Sequence, residues 1–200
     1  VTVDLLAHLV AHIALAGSAL ALALLIGVPL GAIAADRPAI RAVSAALAGA
    51  LRVIPSLAIL TLAIPLLGLG FGSALAALVV LALPPIFVNT EVGLRGVPAA
   101  TLQAARGTGM TLPQVAARVR WPLALPVVMI GVRTAAVEVI ASATLAAFIG
   151  AGGLGDYIVN GTQTGNLGEV TLGAVAVATL ALAADIGLGA LARRAGPLSS

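Results

Sequence analysis

Apolar residues fill this chain in long blocks, and the polar and charged residues collect in the gaps between them. Five blocks are long and apolar enough to cross a bilayer, which takes about 20 residues per helix. They are Leu9–Ala35, Val43–Leu67, Ser73–Thr90, Leu123–Ile149 and Glu169–Ala192. The pattern predicts an all-α integral membrane protein of about five transmembrane helices, a single domain over residues 1–200. Neither strict alternation nor an aromatic girdle is present, so a β-barrel is not expected. Gly17, Ser18, Gly27 and Gly31 put small residues on the first block, where they permit close helix packing in lipid. Pro55 and Pro65 in the second block, and Pro84–Pro85 in the third, are expected to kink their helices. Gly68–Gly72 reads as a tight uncharged turn, and Gly150–Gly168 as a glycine-rich loop carrying Asp156. No internal repeat stands out, which weighs against a single-chain secondary carrier, many of which are built from repeated halves.

One gap differs from the others. Thr101–Pro126 (TLQAARGTGMTLPQVAARVRWPLALP) carries Arg106, Arg118 and Arg120 and no acid. It predicts two short helices split by Gly107 and Gly109, with Pro98 suited to the start of the first. Thr111 with Gln114 has the spacing of a capping box opening the second. Such a segment cannot lie in lipid, and positive loops stay on the cytoplasmic side. With five crossings, the loop at Arg37 and Arg41, the loop at Arg95–Arg120 and the tail at Arg193 and Arg194 share one side. The amino end, Gly68–Gly72 and Gly150–Gly168 share the other and contain no Arg. The amino end is therefore expected outside, and the carboxyl end and the arginine-bearing loop in the cytoplasm.

Composition agrees with a membrane protein and narrows its chemistry. A chain 61% hydrophobic and 8% charged, with mean hydropathy +1.19, is no ordinary soluble domain. The net charge of +3 comes from ten arginines against seven acids. These arginines lie in loops and at helix ends rather than on one basic face, so nucleic acid is not an expected partner. With no cysteine there is no disulfide, thiol redox site or cysteine-bound zinc. With no lysine there is no P-loop, whose lysine sits on the phosphates. If ATP drives this protein, ATP and Mg are bound by another subunit, and no cofactor is expected on this chain. The chain opens on Val1, and its start lacks the basic segment of a cleavable signal peptide.

Arg133 and Glu138 are the sharpest physical anomaly. Ionisable groups inside a membrane helix are costly and face protein or water. Arg133 would lie about 15 Å along the fourth block, and the two side chains about 140° apart around it, so they are not expected to bond each other. Two readings stand: a polar patch on a pathway or subunit interface, or Arg133 reaching the cytoplasmic surface with Glu138 meeting a neighbouring helix. Asp185 has two readings, of which a helix-end contact with Arg193 or Arg194 is favoured over a substrate role. His8 and His12 have an i, i+4 spacing that metals use, but no third ligand is evident. Gly150-Ala-Gly-Gly-Leu-Gly155 matches the spacing of a dinucleotide fingerprint but follows a membrane helix rather than a strand, so that reading is rejected. Asn160-Gly-Thr162 fits a glycosylation sequon and carries no weight here. Trp121, beside Pro122, reads as an interface anchor.

The arginine-bearing loop resembles the EAA loop of binding-protein-dependent ABC importer permeases. Gln103, Ala104 and Ala105 stand for its Glu-Ala-Ala, followed by Gly109, then Val119, Trp121 and Pro122 at the matching spacing. Gln103 replaces the usual Glu. The resemblance implies a coupling loop over residues 94–122 that docks on an ATPase subunit. Residues 143–156 (ATLAAFIGAGGLGD), Arg106–Thr111, Pro122–Pro126 and Gly131–Ala135 are similar to the branch importing glycine betaine, choline and related osmoprotectants. Methionine and phosphonate importers share the glycine-rich run. The resemblance further implies the type I, methionine-importer-like permease fold, in a bacterial plasma membrane. It implies an external binding protein, ABC ATPase subunits and a second permease subunit, identical or related. Arg133, Glu138, Gly150, Gly152 and Gly153 are the candidates for translocation or gating. The chain itself is expected to catalyse no covalent step. A methionine or other small-solute importer is the alternative within the class, and an ion-coupled carrier or channel the alternative outside it.

Overall fold

The computed structural model describes residues 2–195. Nine α-helices follow one another among these residues: α1 Thr2–Asp36, α2 Pro38–Val53, α3 Ser56–Leu67, α4 Phe71–Arg95, α5 Ala99–Gly107, α6 Leu112–Val115, α7 Trp121–Ser142, α8 Gly155–Thr164 and α9 Leu167–Ala195. A π-helical turn, Ala116–Arg120, joins α6 to α7, and a 3₁₀ turn, Leu145–Ile149, follows α7. The side chains of Arg52 and Arg194, and the tail after Ala195, lie outside the described residues.

Contacts at the helix ends sort the bundle into two poles. At one, the Arg120 guanidinium donates to both carboxylate oxygens of Asp36, at 3.0 and 2.7 Å, and its Nε donates to the Leu94 carbonyl at 3.1 Å. That pole gathers the end of α1, the end of α4 and the root of α7. At the other, the Gly70 N–H donates to the Ile149 carbonyl at 2.7 Å, and the Tyr157 hydroxyl donates to Asp4 at 3.2 Å. That pole gathers the start of α1, the turn before α4 and the glycine-rich segment. The chain leaves the arginine pole at Asp36 and reaches the glycine pole at Gly70, so α2 and α3 carry it across between them. It therefore passes between the poles five times. Four passes are helices long and apolar enough to span a membrane: Asp4–Asp36, Phe71–Arg95, Leu112–Ser142 and Leu167–Arg193.

The second pass corrects the expectation of one kinked helix over Val43–Leu67. It is two helices meeting at 100°. Pro55 is the cause: its ring drives Ile54 into the extended region, at φ −76° and ψ 125°, and it has no N–H to continue the ladder. Pro65, also expected to kink, lies within α3. Helix α4 carries Pro84 and Pro85 inside one 25-residue helix. The Asn89 amide donates to the Pro85 carbonyl there.

The fourth pass also departs from expectation. It does not run over Leu123–Ile149 after a separate short helix. Residues Leu112–Ser142 form one 31-residue span containing α6, the π turn and α7. Its far end breaks at Ser142 to Thr144, where the Thr144 hydroxyl takes the Ala141 carbonyl from the ladder.

Small side chains make the interior. Ala19, Ala23, Ala74, Ala82, Ala135 and Ala143 have no exposed surface. Where lipid supplies no hydrophobic drive between helices, close backbone approach supplies the attraction. Helix α1 lies along α4 on Gly27 and Gly31: a Cβ on Gly31 would stand 2.8 Å from the Phe87 carbonyl. Gly17 and Ser18 do not share this role. Gly17 faces open space, and Ser18 donates back to the Ala14 carbonyl of its own helix.

Candidate functional site

The arginine pole carries the α5–α6 hairpin. Helix α5 buries no residue at all. Pro98 caps its start, its carbonyl accepting from the N–H groups of Thr101 and Leu102. The turn after it depends on Gly109, at φ +88°, where an L side chain is strained. The Gln114 side chain then accepts from the Thr111 N–H at 2.9 Å, as the capping-box spacing predicts. The six loop residues picked from the sequence fall into two groups. Gln103, Ala104 and Gly109 are exposed on the hairpin, whereas Ala105, Val119 and Pro122 are half-buried, the last two at its root. Trp121 is half-buried beside them and packs against the small cluster around Leu94 and Val128. The hairpin thus offers a short face of small side chains, and its root is fixed to α1 and α4 by Arg120.

A second polar feature lies between α7 and α9. Arg133 donates to Asp185 through Nε and one terminal nitrogen, both at 2.9 Å. This corrects the expected contact of Asp185 with Arg193 or Arg194: Asp185 is paired across to another helix. Both side chains remain about a third exposed, at 36% and 35%. They line an open concavity of about 740 Å³ together with Ile130, Thr134, Val137 and Glu138. Residues 130, 133, 134, 137 and 138 lie on one face of α7, so Arg133 and Glu138 share that concavity despite not being neighbours on the helix surface. On two helices apolar enough to span a membrane, this is the face most costly to leave against lipid.

The glycine pole carries the third group. Gly150, Gly152 and Gly153 all have positive φ, at 76°, 73° and 97°. Gly150 ends the 3₁₀ turn in the left-handed region, and a Cβ on Gly153 would press on the His12 ring. No strand precedes this run among the described residues, in keeping with the rejection of a dinucleotide site. The two histidines face different surroundings. His12 is fully buried and donates from Nε2 to the Ile140 carbonyl at 3.0 Å, whereas His8 meets Asp4 and Asp156. Among the described residues no three His, Cys, Asp or Glu side chains group as metal ligands.

Sequence reasoning missed the Arg120–Asp36 anchor, the Arg133–Asp185 pair and the His8–Asp156 contact. All three join residues far apart in the chain, and no local spacing announces them. The Glu91–Arg95 pair, with Nε 2.7 Å from the carboxylate, has i, i+4 spacing on one helix and could have been read.

Comparison with known proteins follows the same outline. Residues 27–196 match the family described as binding-protein-dependent transport system inner membrane component. The chain is 41% identical to the carnitine transport permease protein OpuCB of Listeria monocytogenes, over 93% of this chain and 85% of that one. It is 39% identical to the choline transport system permease protein OpuBB of Bacillus subtilis, over 93% and 86%. Its fold superposes on a chain of the MetNI methionine ABC transporter with a TM-score of 0.83, covering 96% of each at 24% identity.

Proposed function

The chain belongs to the family of binding-protein-dependent transport system inner membrane components, and on that premise we propose that it carries a small osmoprotectant of the glycine betaine, choline, carnitine or proline betaine type. The carnitine and choline permeases it is similar to handle quaternary ammonium compounds. The chain's own aromatics fit a passage better than a selective site. Phe87 and Tyr157 are buried, Phe71 and Phe148 are exposed, and Trp121 is half-buried at the arginine pole. A cage for a quaternary ammonium group needs several converging rings. Selection then rests with the external binding protein, and this chain provides a path of low affinity.

One observation carries the mechanism: the exposed α5–α6 hairpin is continuous with α7. At 1.5 Å per residue the Leu112–Ser142 rod is about 46 Å long, against a hydrocarbon core of about 30 Å. Its first turns project beyond the membrane, and its far third carries Arg133 and Glu138. In our reading, ATPase subunits that bind ATP and Mg close on α5, with Gln103, Ala104 and Gly109 at the contact. The rod conveys that motion to the α7–α9 concavity, and Arg120 conveys it to α1 and α4. The concavity faces a second permease subunit, which shields its charges from lipid and completes the pathway. The arginine pole is cytoplasmic and the glycine pole external in a bacterial plasma membrane, with the amino end outside.

Uptake of labelled choline by the assembled transporter, with glycine betaine, carnitine and methionine as competitors, tests the substrate class. Competition by the quaternary ammonium compounds and none by methionine is expected. Competition by methionine alone would assign the chain to the other small-solute branch.

A further inference from the structure

At the glycine pole the first turns of α1 and the start of α8 meet through ionisable side chains. His8 Nδ1 lies 2.8 Å from the Asp4 carbonyl oxygen. A carbonyl only accepts, so Nδ1 carries the hydrogen. The other ring nitrogen, Nε2, lies 3.4 Å from Asp156 Oδ2. In a ring with its single hydrogen on Nδ1, Nε2 presents a lone pair. A lone pair facing an ionised carboxylate oxygen is repelled. The contact is attractive only with one further proton between the two, on Nε2 as imidazolium or on Oδ2 as the acid. Burial pushes the Asp156 carboxyl above the usual carboxylate range, with the charge of His8 opposing.

The other groups around the contact are few. Asp4 Oδ1 lies 3.3 Å from His8 Nδ1, and its Oδ2 accepts from the Tyr157 hydroxyl. The Tyr157 ring meets His8 edge-on, with centroids 5.2 Å apart. Glu169, at the start of α9, acts on Tyr157 through its charge. His12, one turn along α1, is buried against Gly153 and bonded to Ile140.

We propose that the His8–Asp156 contact is a proton-dependent latch between α1 and the Gly150–Gly152–Gly153 hinge, closed while the pair shares its extra proton and released when that proton leaves. The closed state holds one more proton than the open one. By linkage, falling pH therefore favours closure and rising pH favours release. Release leaves the Tyr157–Asp4 hydrogen bond between the two helices and loosens the start of α8 beside Gly150, Gly152 and Gly153, all at positive φ.

The chain has no cysteine, so Leu6→Cys and Gln163→Cys, at two exposed positions, place spin labels on α1 and α8. Pulsed EPR distances are then measured on the assembled transporter in nanodiscs at about pH 5.5 and about pH 8.5, bracketing the range in which histidine chemistry operates. A single short population at the lower pH and an added longer one at the higher pH are expected. Asp156→Asn should hold the short population at both, because its amide N–H donates to Nε2 with no extra proton. If that variant does not assemble, His8→Gln is expected to be equally insensitive, its amide donating to the ionised Asp156. A distribution independent of pH in the labelled parent overturns the latch. So does an undiminished pH response in either variant.

Discussion

Gly109 holds the hairpin turn at φ +88° with open space where a side chain would point. The cost of a side chain there is conformational and not steric, about 1–2 kcal/mol for an ordinary L residue. Gly109→Leu should therefore reduce uptake at least several-fold while the transporter still assembles and hydrolyses ATP. Gly109→Asn, which tolerates the left-handed region, should retain most of the uptake. Parallel uptake and ATPase assays on the purified complex check both. Arg133 and Asp185 give a second residue-scale expectation. Asp185→Leu leaves an arginine without its carboxylate in a membrane helix and should lower the melting temperature. Adding Arg133→Met should restore it, since apolar replacement of a whole pair is far less costly than breaking it. If the concavity is the pathway, uptake stays impaired in the double variant even with stability restored. The sequence announced the Gly109 turn because glycine and its flanking caps are local signals. It did not announce the partner of Asp185, because those residues are separated by 52 positions and meet only when α7 and α9 pack.

At the scale of elements, the helical runs were legible from hydropathy and their breaks only partly so. Pro55 reads as a kink in the sequence, but a 100° break rather than a bend follows from its position between two helices that pack separately on α4. The continuity of α6 with α7 was hidden because charged residues, Arg118 and Arg120, fall within the helix and read as loop. The π turn at Ala116–Arg120 joins the hairpin to α7, and Arg120 within it ties the same point to Asp36 and the Leu94 carbonyl. Replacing the exposed Ala117 and Arg118 by glycine should weaken the helix by about 1 kcal/mol at each position. Hydrogen exchange over residues 112–120 should rise, and uptake should fall relative to ATP hydrolysis. Unchanged coupling with raised exchange would show that the rod is not the route.

For the whole molecule, the five passes and the two poles follow from contacts that the sequence could only imply through arginine distribution. The side on which each pole lies is a separate question with its own test. A cysteine at Leu69, exposed at the glycine pole, should react with an impermeant thiol reagent applied outside intact cells. A cysteine at Gln103 should react only after the membrane is opened. The reverse pattern would invert the orientation. The central claim, that the α5–α6 hairpin is where an ATPase drives this chain, is tested most directly by photo-crosslinking in native membranes from position 104, with position 69 as the control. The account expects a product containing an ATP-hydrolysing subunit from position 104 and no such product from position 69. Capture of that subunit from position 69, or its absence from position 104, would contradict it.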